Sequence, residues 1–206
     1  MRWQTLREGI WFLVSLGFLT WVGARVNRCL GFFFASLFGF TLYFFRDPDR
    51  IPPRKDIVAP ADGKVVEITE LDGVDGVEGP AVRIGIFLSV FDVHTNRMPV
   101  DATVLSSVER TGEYLDARNP ESSRRNACRT WLFEGLHGRF VVRQITGAIA
   151  RRIVPWSKVG DKLKQGDRFG MIRFGSRTEI DLPRSVTVTC KMGQKIRGGE
   201  TVIAQF

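Results

Sequence analysis

Hydrophobic residues follow two different patterns along this chain. Over residues 10–24 and 29–45 they form nearly unbroken runs, with Arg25, Asn27 and Arg28 between. Beyond Phe45 they come in short stretches that alternate with polar residues and are cut by turn residues. The first pattern predicts helices and the second predicts strands. As helices the two runs would measure roughly 22–26 Å, against a hydrocarbon core of about 30 Å. Snorkelling arginines and local thinning of the bilayer close that difference. Phe32-Phe33-Phe34 and Phe44-Phe45 leave no polar face for water, which argues against the buried hairpin of a soluble core. A signal peptide fits poorly, because no small-residue cleavage site precedes a mature start and a second apolar run follows. Residues 1–45 are therefore expected to form a membrane-anchoring helical hairpin, spanning or re-entrant. A hairpin leaves both ends on one side, with Arg2, Arg7, Arg46, Arg50, Arg54 and Lys55 there against Arg25 and Arg28 in its loop. That asymmetry puts the rest of the chain on the cytoplasmic side of the cell membrane.

Asp47-Pro48-Asp49-Arg50-Ile51-Pro52-Pro53-Arg54 is a stiff, charged connector that ends the second helix. Residues 46–206 then read as a mainly β domain. Strands are expected at 64–68, 82–88, 103–108, 130–133, 140–145, 168–174, 186–189 and 201–205, with Asp72-Gly73, Asp75-Gly76 and Gly198-Gly199 as turns. Residues 115–129 are polar, contain Asn119-Pro120, and predict a loop over the site or a short helix. An internal echo narrows the fold. Gly160-Asp161-Lys162-Leu163-Lys164-Gln165-Gly166-Asp167 matches Gly193-Gln194-Lys195-Ile196-Arg197-Gly198-Gly199-Glu200 in its glycines, lysine, aliphatic, basic and acidic positions. Such repeats mark related units packed around one core. This one resembles the hairpins of lipoyl- and biotinyl-type β-sandwiches, the barrel-sandwich hybrid fold.

The 206 residues carry a formal net charge of +8, and that length holds one domain plus an anchor. A basic surface suits nucleic acid, anionic lipid or an acidic substrate, and the balance alone does not choose. No arginine-rich stripe interleaved with stacking aromatics appears, so no nucleic-acid partner is expected. Cys29, Cys128 and Cys190 are odd in number, far apart and without a Cys-x-x-Cys pair. They argue against a disulfide framework and for a reducing compartment. The histidines are His94 and His137, too few for the zinc of a metallopeptidase built on a similar sandwich, so no metal is expected. His137 lies between Gly135-Leu136 and Gly138 and reads as a turn residue.

Three separated segments carry the candidate chemistry: Ala59-Pro60-Ala61-Asp62-Gly63-Lys64, Phe91-Asp92-Val93-His94, and Ile172-Arg173-Phe174-Gly175-Ser176-Arg177. Each alone has an ordinary explanation as a turn or a packed histidine. In this order, between about Phe45 and Ala204, they resemble the phosphatidylserine decarboxylase family, specifically its short form. The resemblance implies that the chain cuts itself between Gly175 and Ser176. A β chain, 1–175, and an α chain, 176–206, would remain together as a heterodimer or a larger oligomer. Ser176 would become a pyruvoyl cofactor that forms a Schiff base with the amine of phosphatidylserine. It would withdraw electrons as carbon dioxide leaves and phosphatidylethanolamine is made, a step of phospholipid biosynthesis at an anionic membrane surface.

Self-cleavage of this kind needs a small residue at the attacked carbonyl, which glycine supplies, and a base for the serine. By resemblance, His94 with Asp62 and Asp92 forms the relay, one of the aspartates orienting the imidazole. Arg97 departs from larger relatives, which often have a second histidine there. Ser122-Ser123-Arg124-Arg125-Asn126 aligns with a loop in which relatives carry Ser-x-x-Asn followed by glutamate and arginine. Here Ala127 and Cys128 follow, which leaves Asn126 as a candidate for the substrate head group. Arg151 and Arg152 are candidates for its phosphate or for the lipid surface, the alternative being solvated surface arginines. The alternative is a membrane-anchored, lipoyl-like carrier without catalysis, but such a module would display a lysine where Gly175-Ser176 stands.

Overall fold

A computed structural model of the chain describes residues 3–148, 152–173 and 176–206. The chain forms two compact units, Met1–Asp49 and Arg50–Phe206.

The first unit is a pair of helices, α1 (Trp3–Val26) and α2 (Arg28–Phe44). α1 begins earlier than the apolar run because Arg7 and Glu8 interrupt the run without interrupting the helix. Asn27 separates the two helices with an extended backbone, and its side chain accepts the Cys29 N–H at 2.8 Å, capping α2. Small residues bring the helices together. A side chain at Gly31 would meet Ala24 at 2.8 Å, and one at Gly9 would meet the Phe45 ring at 2.5 Å. Contacts near the turn and at the far ends make the pair antiparallel. Gln4–Val26 is long and apolar enough to cross a membrane, and α2 is shorter. Trp11, Phe18, Trp21, Phe32 and Phe33 are exposed on the outside of this unit.

The second unit is mainly β. Its elements run β1 (Ile57–Val58), β2 (Gly63–Leu71), β3 (Ala81–Leu88), β4 (Thr95–Arg97), β5 (Ala102–Arg110), α3 (Ser122–Arg125), β6 (Cys128–Gly135) and β7 (Gly138–Ile145). They continue with β8 (Arg152–Pro155), β9 (Lys162–Leu163), β10 (Arg168–Arg173), β11 (Ser176–Pro183), β12 (Thr187–Val188), β13 (Lys195–Ile196) and β14 (Val202–Gln205). Eight strands form an open, curled antiparallel sheet in the order β13-β2-β3-β11-β7-β6-β5-β9. Two three-stranded sheets, β1-β14-β12 and β4-β10-β8, complete the unit. Alternation explains the core: Ile84, Ile86 and Leu88 of β3, Trp131 and Phe133 of β6, and Ile180 and Leu182 of β11 share one buried cluster. Trp131 meets Phe169 edge-on at 5.5 Å between ring centroids, and Phe133 stacks on Phe140 at 5.2 Å.

All eight stretches expected to be strands contain one, and residues 115–129 hold a loop, the short helix α3 and the start of β6. β11, which lies in the middle of the large sheet, was not expected.

The sequence echo extends into the three-dimensional structure and is larger than the echo itself. β13 pairs with β2 as Lys195↔Lys64 and Ile196↔Gly63, while β9 pairs with β5 as Lys162↔Thr103 and Leu163↔Ala102. Gly199 N–H donates to Ala59 O at 2.8 Å, and Gly166 N–H donates to Met98 O at 2.9 Å. Gly193 N–H reaches Val65 O, and Gly160 N–H reaches Val104 O. All four glycines have positive φ, between 78° and 91°, a conformation that only glycine adopts without strain. Val58 N–H donates to Pro99 O, and Arg97 N–H donates to Pro60 O in return. Residues 58–65 with 193–200, and 97–104 with 160–167, are two copies of one unit that exchange hydrogen bonds.

Candidate active site

Ser176 is the first residue of β11 and lies opposite Leu88, with β3 on one side of the strand and β7 on the other. The residue is fully buried, and among the described residues its Oγ has no hydrogen-bond partner. A buried hydroxyl without a partner costs free energy, so one held here calls for a chemical explanation. Gly175 lies outside the described residues.

β10 leads into this point from the other sheet. It pairs with β4 as Met171↔Thr95, and Ile172 N–H donates to His94 O at 3.2 Å. His94 therefore stands beside the segment that ends just before Ser176. It is fully buried, and its Nδ1 lies 2.9 Å from Asp92 O. A carbonyl oxygen can only accept, so Nδ1 carries the proton, which makes Nε2 the accepting nitrogen of the ring. The Asp92 carboxylate itself accepts the Ser89 N–H at 2.8 Å and the Ser89 hydroxyl at 2.7 Å, closing the turn after β3. It is the main chain of Asp92, and not its carboxylate, that makes this contact with the imidazole.

Asp62 stands at the end of its Ala59-Pro60-Ala61 turn. Its Oδ1 accepts the Gly198 N–H at 2.7 Å, and its Oδ2 accepts a hydrogen bond from Arg50 at 2.8 Å. Burial pushes its carboxyl above the ordinary range, with Asp92 adding to the rise, while Arg50, the Gly198 N–H and Arg97 oppose it. The Gly63 that follows has φ 149°, and a side chain there would meet Phe87 O at 2.2 Å, so the position requires glycine. Arg97 is buried, donates to Gly166 O at 3.2 Å, and packs where a side chain on Gly199 would be, so it touches the glycine turns of both copies.

A buried polar chain supports β4 and β11. Trp131 Nε1 donates to Gln144 at 2.7 Å, Gln144 donates to Asn96 at 2.6 Å, and Asn96 donates to Thr178 at 3.2 Å. Thr178 is on the same face of β11 as Ser176. The opposite face holds charge. Arg177, Glu179 and Asp181 are buried there, against the partly buried Arg83, Arg143 and Glu67. Arg83 grips Asp181 with two bonds of 2.6 and 2.8 Å, Arg143 bonds Glu179 at 2.7 Å, and Arg177 bonds both Glu179 and Glu67. Burial alone would raise the Glu179 carboxyl, but Arg143, Arg83 and Arg177 with the Ser123 hydroxyl hold it below the ordinary range. Gly85 makes room for Arg177: a side chain on it would meet that guanidinium at 2.8 Å.

The loop containing α3 covers this charged face. Arg143 donates to the Ser123 hydroxyl and carbonyl, and Arg110 donates to the Ser123 and Asn126 carbonyls. Asn126 is fully buried, accepts the Leu115 N–H at 2.8 Å, and donates to Leu115 O and Thr146 O, each at 2.8 Å. Its amide is committed to holding the loop. Arg152 is exposed on β8 opposite Arg173, and Arg151 lies outside the described residues. His137 stacks on Phe206 at 3.9 Å, away from these groups at the β6–β7 turn. Among the described residues no three histidine, cysteine or acidic side chains are grouped to hold a metal ion.

Sequence reasoning passed over Arg50 and the charged face of β11. Arg50 gave no signal in the connector. The charged face did, since Arg177, Glu179 and Asp181 recur at the two-residue period of a strand.

The family model for phosphatidylserine decarboxylase matches residues 37–204. A phosphatidylserine decarboxylase proenzyme of Carboxydothermus hydrogenoformans is 46% identical over 203 residues, covering 97% of this chain and 95% of the relative. A protein of the same name from Desulfotalea psychrophila is 39% identical over 205 residues, with the same two shares. Another from Salinibacter ruber is 45% identical over 172 residues, covering 81% of this chain and 76% of its own. The chain belongs to the phosphatidylserine decarboxylase family, a family of carboxy-lyases.

Proposed function

We propose that this chain is a membrane-associated phosphatidylserine decarboxylase that makes its own cofactor by cutting the Gly175–Ser176 bond. The observation that carries the assignment is the buried Ser176 hydroxyl, without a hydrogen-bond partner among the described residues, at the head of a central strand in a chain of this family. The pairing of Ser176 with Leu88 fixes where its main chain lies, which suits a serine that must turn back on its own peptide bond. His94 Nε2 takes the hydroxyl proton, and Oγ attacks the Gly175 carbonyl carbon. The C–N bond then breaks, the nitrogen of residue 176 receives the proton, and an ester joins Gly175 to Oγ. Loss of the Cα proton and rupture of Cβ–Oγ release residues 1–175 with a free carboxylate and leave dehydroalanine at 176. Tautomerisation and hydrolysis then expel ammonia and leave a ketone.

That pyruvoyl ketone supplies an electron sink for an amine-bearing substrate. A hydroxyl with no competing hydrogen bond among the described residues fits a group that is consumed to form it. For the decarboxylation, His94 holds a proton for return to the substrate Cα, kept in one tautomer by Asp92 O. Asp62, with the main chain around it, supports the charged imidazole of the relay. Arg152 and its neighbour Arg151 provide positive charge for the lipid phosphate, and Asn126 serves the substrate by pinning the covering loop. The helical unit supports attachment to a membrane with the β unit on its cytoplasmic side. The paired glycine turns support a lipoyl-like ancestry for the β unit.

Purified protein, denatured and weighed by mass spectrometry, should contain a fragment ending at Gly175 and a fragment beginning with a blocked pyruvoyl group. The Ser176→Ala variant should give one full-length chain with no release of carbon dioxide from phosphatidylserine. An active preparation made only of uncut chain would refute the assignment.

A further inference from the structure

The two copies of the repeated unit differ at one informative place. Asp62 and Asp101 are equivalent: Asp62 Oδ1 accepts the Gly198 N–H and Asp101 Oδ1 accepts the Gln165 N–H, both at 2.7 Å. That bond closes the turn in each copy and needs no catalytic explanation. What Asp62 has and Asp101 lacks is Arg50. Asp101 is exposed, whereas Asp62 is covered, and its second oxygen receives the Arg50 guanidinium at 2.8 Å. The same guanidinium extends its other nitrogen to Glu200 at 2.8 Å, and its side chain is only 8% exposed. Asp167, the counterpart of Glu200, caps its own turn by accepting the Lys164 N–H. Arg50 is thus an addition to the first copy alone, brought in by the first residue of the β unit.

We propose that Arg50 is a positioning residue for self-cleavage, fixing the Asp62 carboxylate in its charged form so that it can support His94. The proposal rests on the assignment of Asp62 to the processing relay. The groups acting on Asp62 are Arg50, Arg97, Asp92 and the Gly198 N–H, with Glu200 sharing Arg50. Burial already raises the Asp62 carboxyl, and Arg50 is first among the influences that oppose the rise. Without that guanidinium the carboxylate would take up a proton at a higher pH. A turn-closing aspartate needs no such arrangement, as Asp101 demonstrates.

The test is the pH dependence of cleavage in the full chain, followed by gel from newly synthesised precursor. Arg50→Gln should slow cleavage by about tenfold or more at neutral pH, a smaller loss than removal of the base itself. The acid limb of its profile should move to higher pH, and the rate should recover under alkaline conditions. Arg50→Lys should restore much of the neutral rate, because a point charge remains although the two-pronged grip does not. Glu200→Gln, which leaves the Asp62 contact in place, should change the rate by less than about threefold. Three results would overturn the proposal: an Arg50→Gln profile superimposed on wild type, a uniform fall with no change in shape, or an equal loss in Glu200→Gln. Asp62→Asn separates the proposal from its premise. If Asp62→Asn cleaves normally, the relay assignment and the proposal both fall. If it is slow while Arg50→Gln is normal, the proposal alone falls.

Discussion

The two aspartates that sequence places near His94 have different occupations, and this sets their expected weights. Asp92 closes the turn after β3 through Ser89 and gives the imidazole only its carbonyl. An asparagine can accept the same two bonds from Ser89, and the carbonyl is unchanged by the substitution. Asp92→Asn should therefore cleave within a few-fold of the native rate, while Asp62→Asn, which removes the charge that Arg50 holds, should be much slower. His94→Ala should be slowest, by about 10²–10⁴-fold, the usual weight of a general base. A time course of precursor loss in the three variants checks the order. If Asp92→Asn proves as slow as His94→Ala, the carbonyl contact does not explain how the imidazole is held.

β11 explains both what the sequence disclosed and what it hid. β2, β3, β5, β6 and β7 are rich in apolar and β-branched or aromatic residues bounded by turn residues, so they read as strands at once. β11 alternates, but Ser176 and Thr178 face inward where apolar residues are expected, and Arg177, Glu179 and Asp181 occupy the other face. A polar strand normally signals exposure. Here its charges are buried because three arginines from one strand each meet three carboxylates in the same layer. β4 was missed for the same reason, since Thr95, Asn96 and Arg97 are polar and buried. Asp62, Asp92, His94 and Ser176 could be singled out as candidates because motif order exposes them. Arg50 could not, because its contact depends on a chain path that only the folded unit supplies.

The same element carries a stability prediction. Glu179→Gln removes the carboxylate shared by Arg143 and Arg177, and breaking such a buried pair typically costs about 3–5 kcal/mol. Measured on the uncut Ser176→Ala background, unfolding should require correspondingly less denaturant. The sign of the pH effect follows from the lowered Glu179 carboxyl: its contribution is complete above the ordinary carboxylate range and is lost as pH falls through the lowered value. Asp181, raised mainly by burial, acts in the opposite sense and favours the fold when protonated. Part of the acid-induced loss of stability should therefore be absent in Glu179→Gln. Full retention of native stability in that variant would show that the layer is neutral to the fold.

For the whole molecule, the position of the proposed cut matters as much as the cut itself. β11 is zipped along β3 on one side and β7 on the other, and its buried charges are held by Glu67, Arg83 and Arg143, all upstream of residue 176. β12, β13 and β14 also follow the cut and pair with β1 or β2 or with one another. Once the bond is broken, the smaller piece has no way out short of dismantling the sheet. Mixing cleaved enzyme labelled with heavy isotopes and unlabelled cleaved enzyme should leave only the two parental masses in a native spectrum, even after days, with no hybrids. A catalytic group made in the proposed way would be neither replenished from a free pool nor exchanged between molecules. If Ser176 yields the proposed ketone, a molecule that loses it would have no spare part to receive, and each ribosomal product would be a single-issue catalyst, retired whole when that one carbonyl fails.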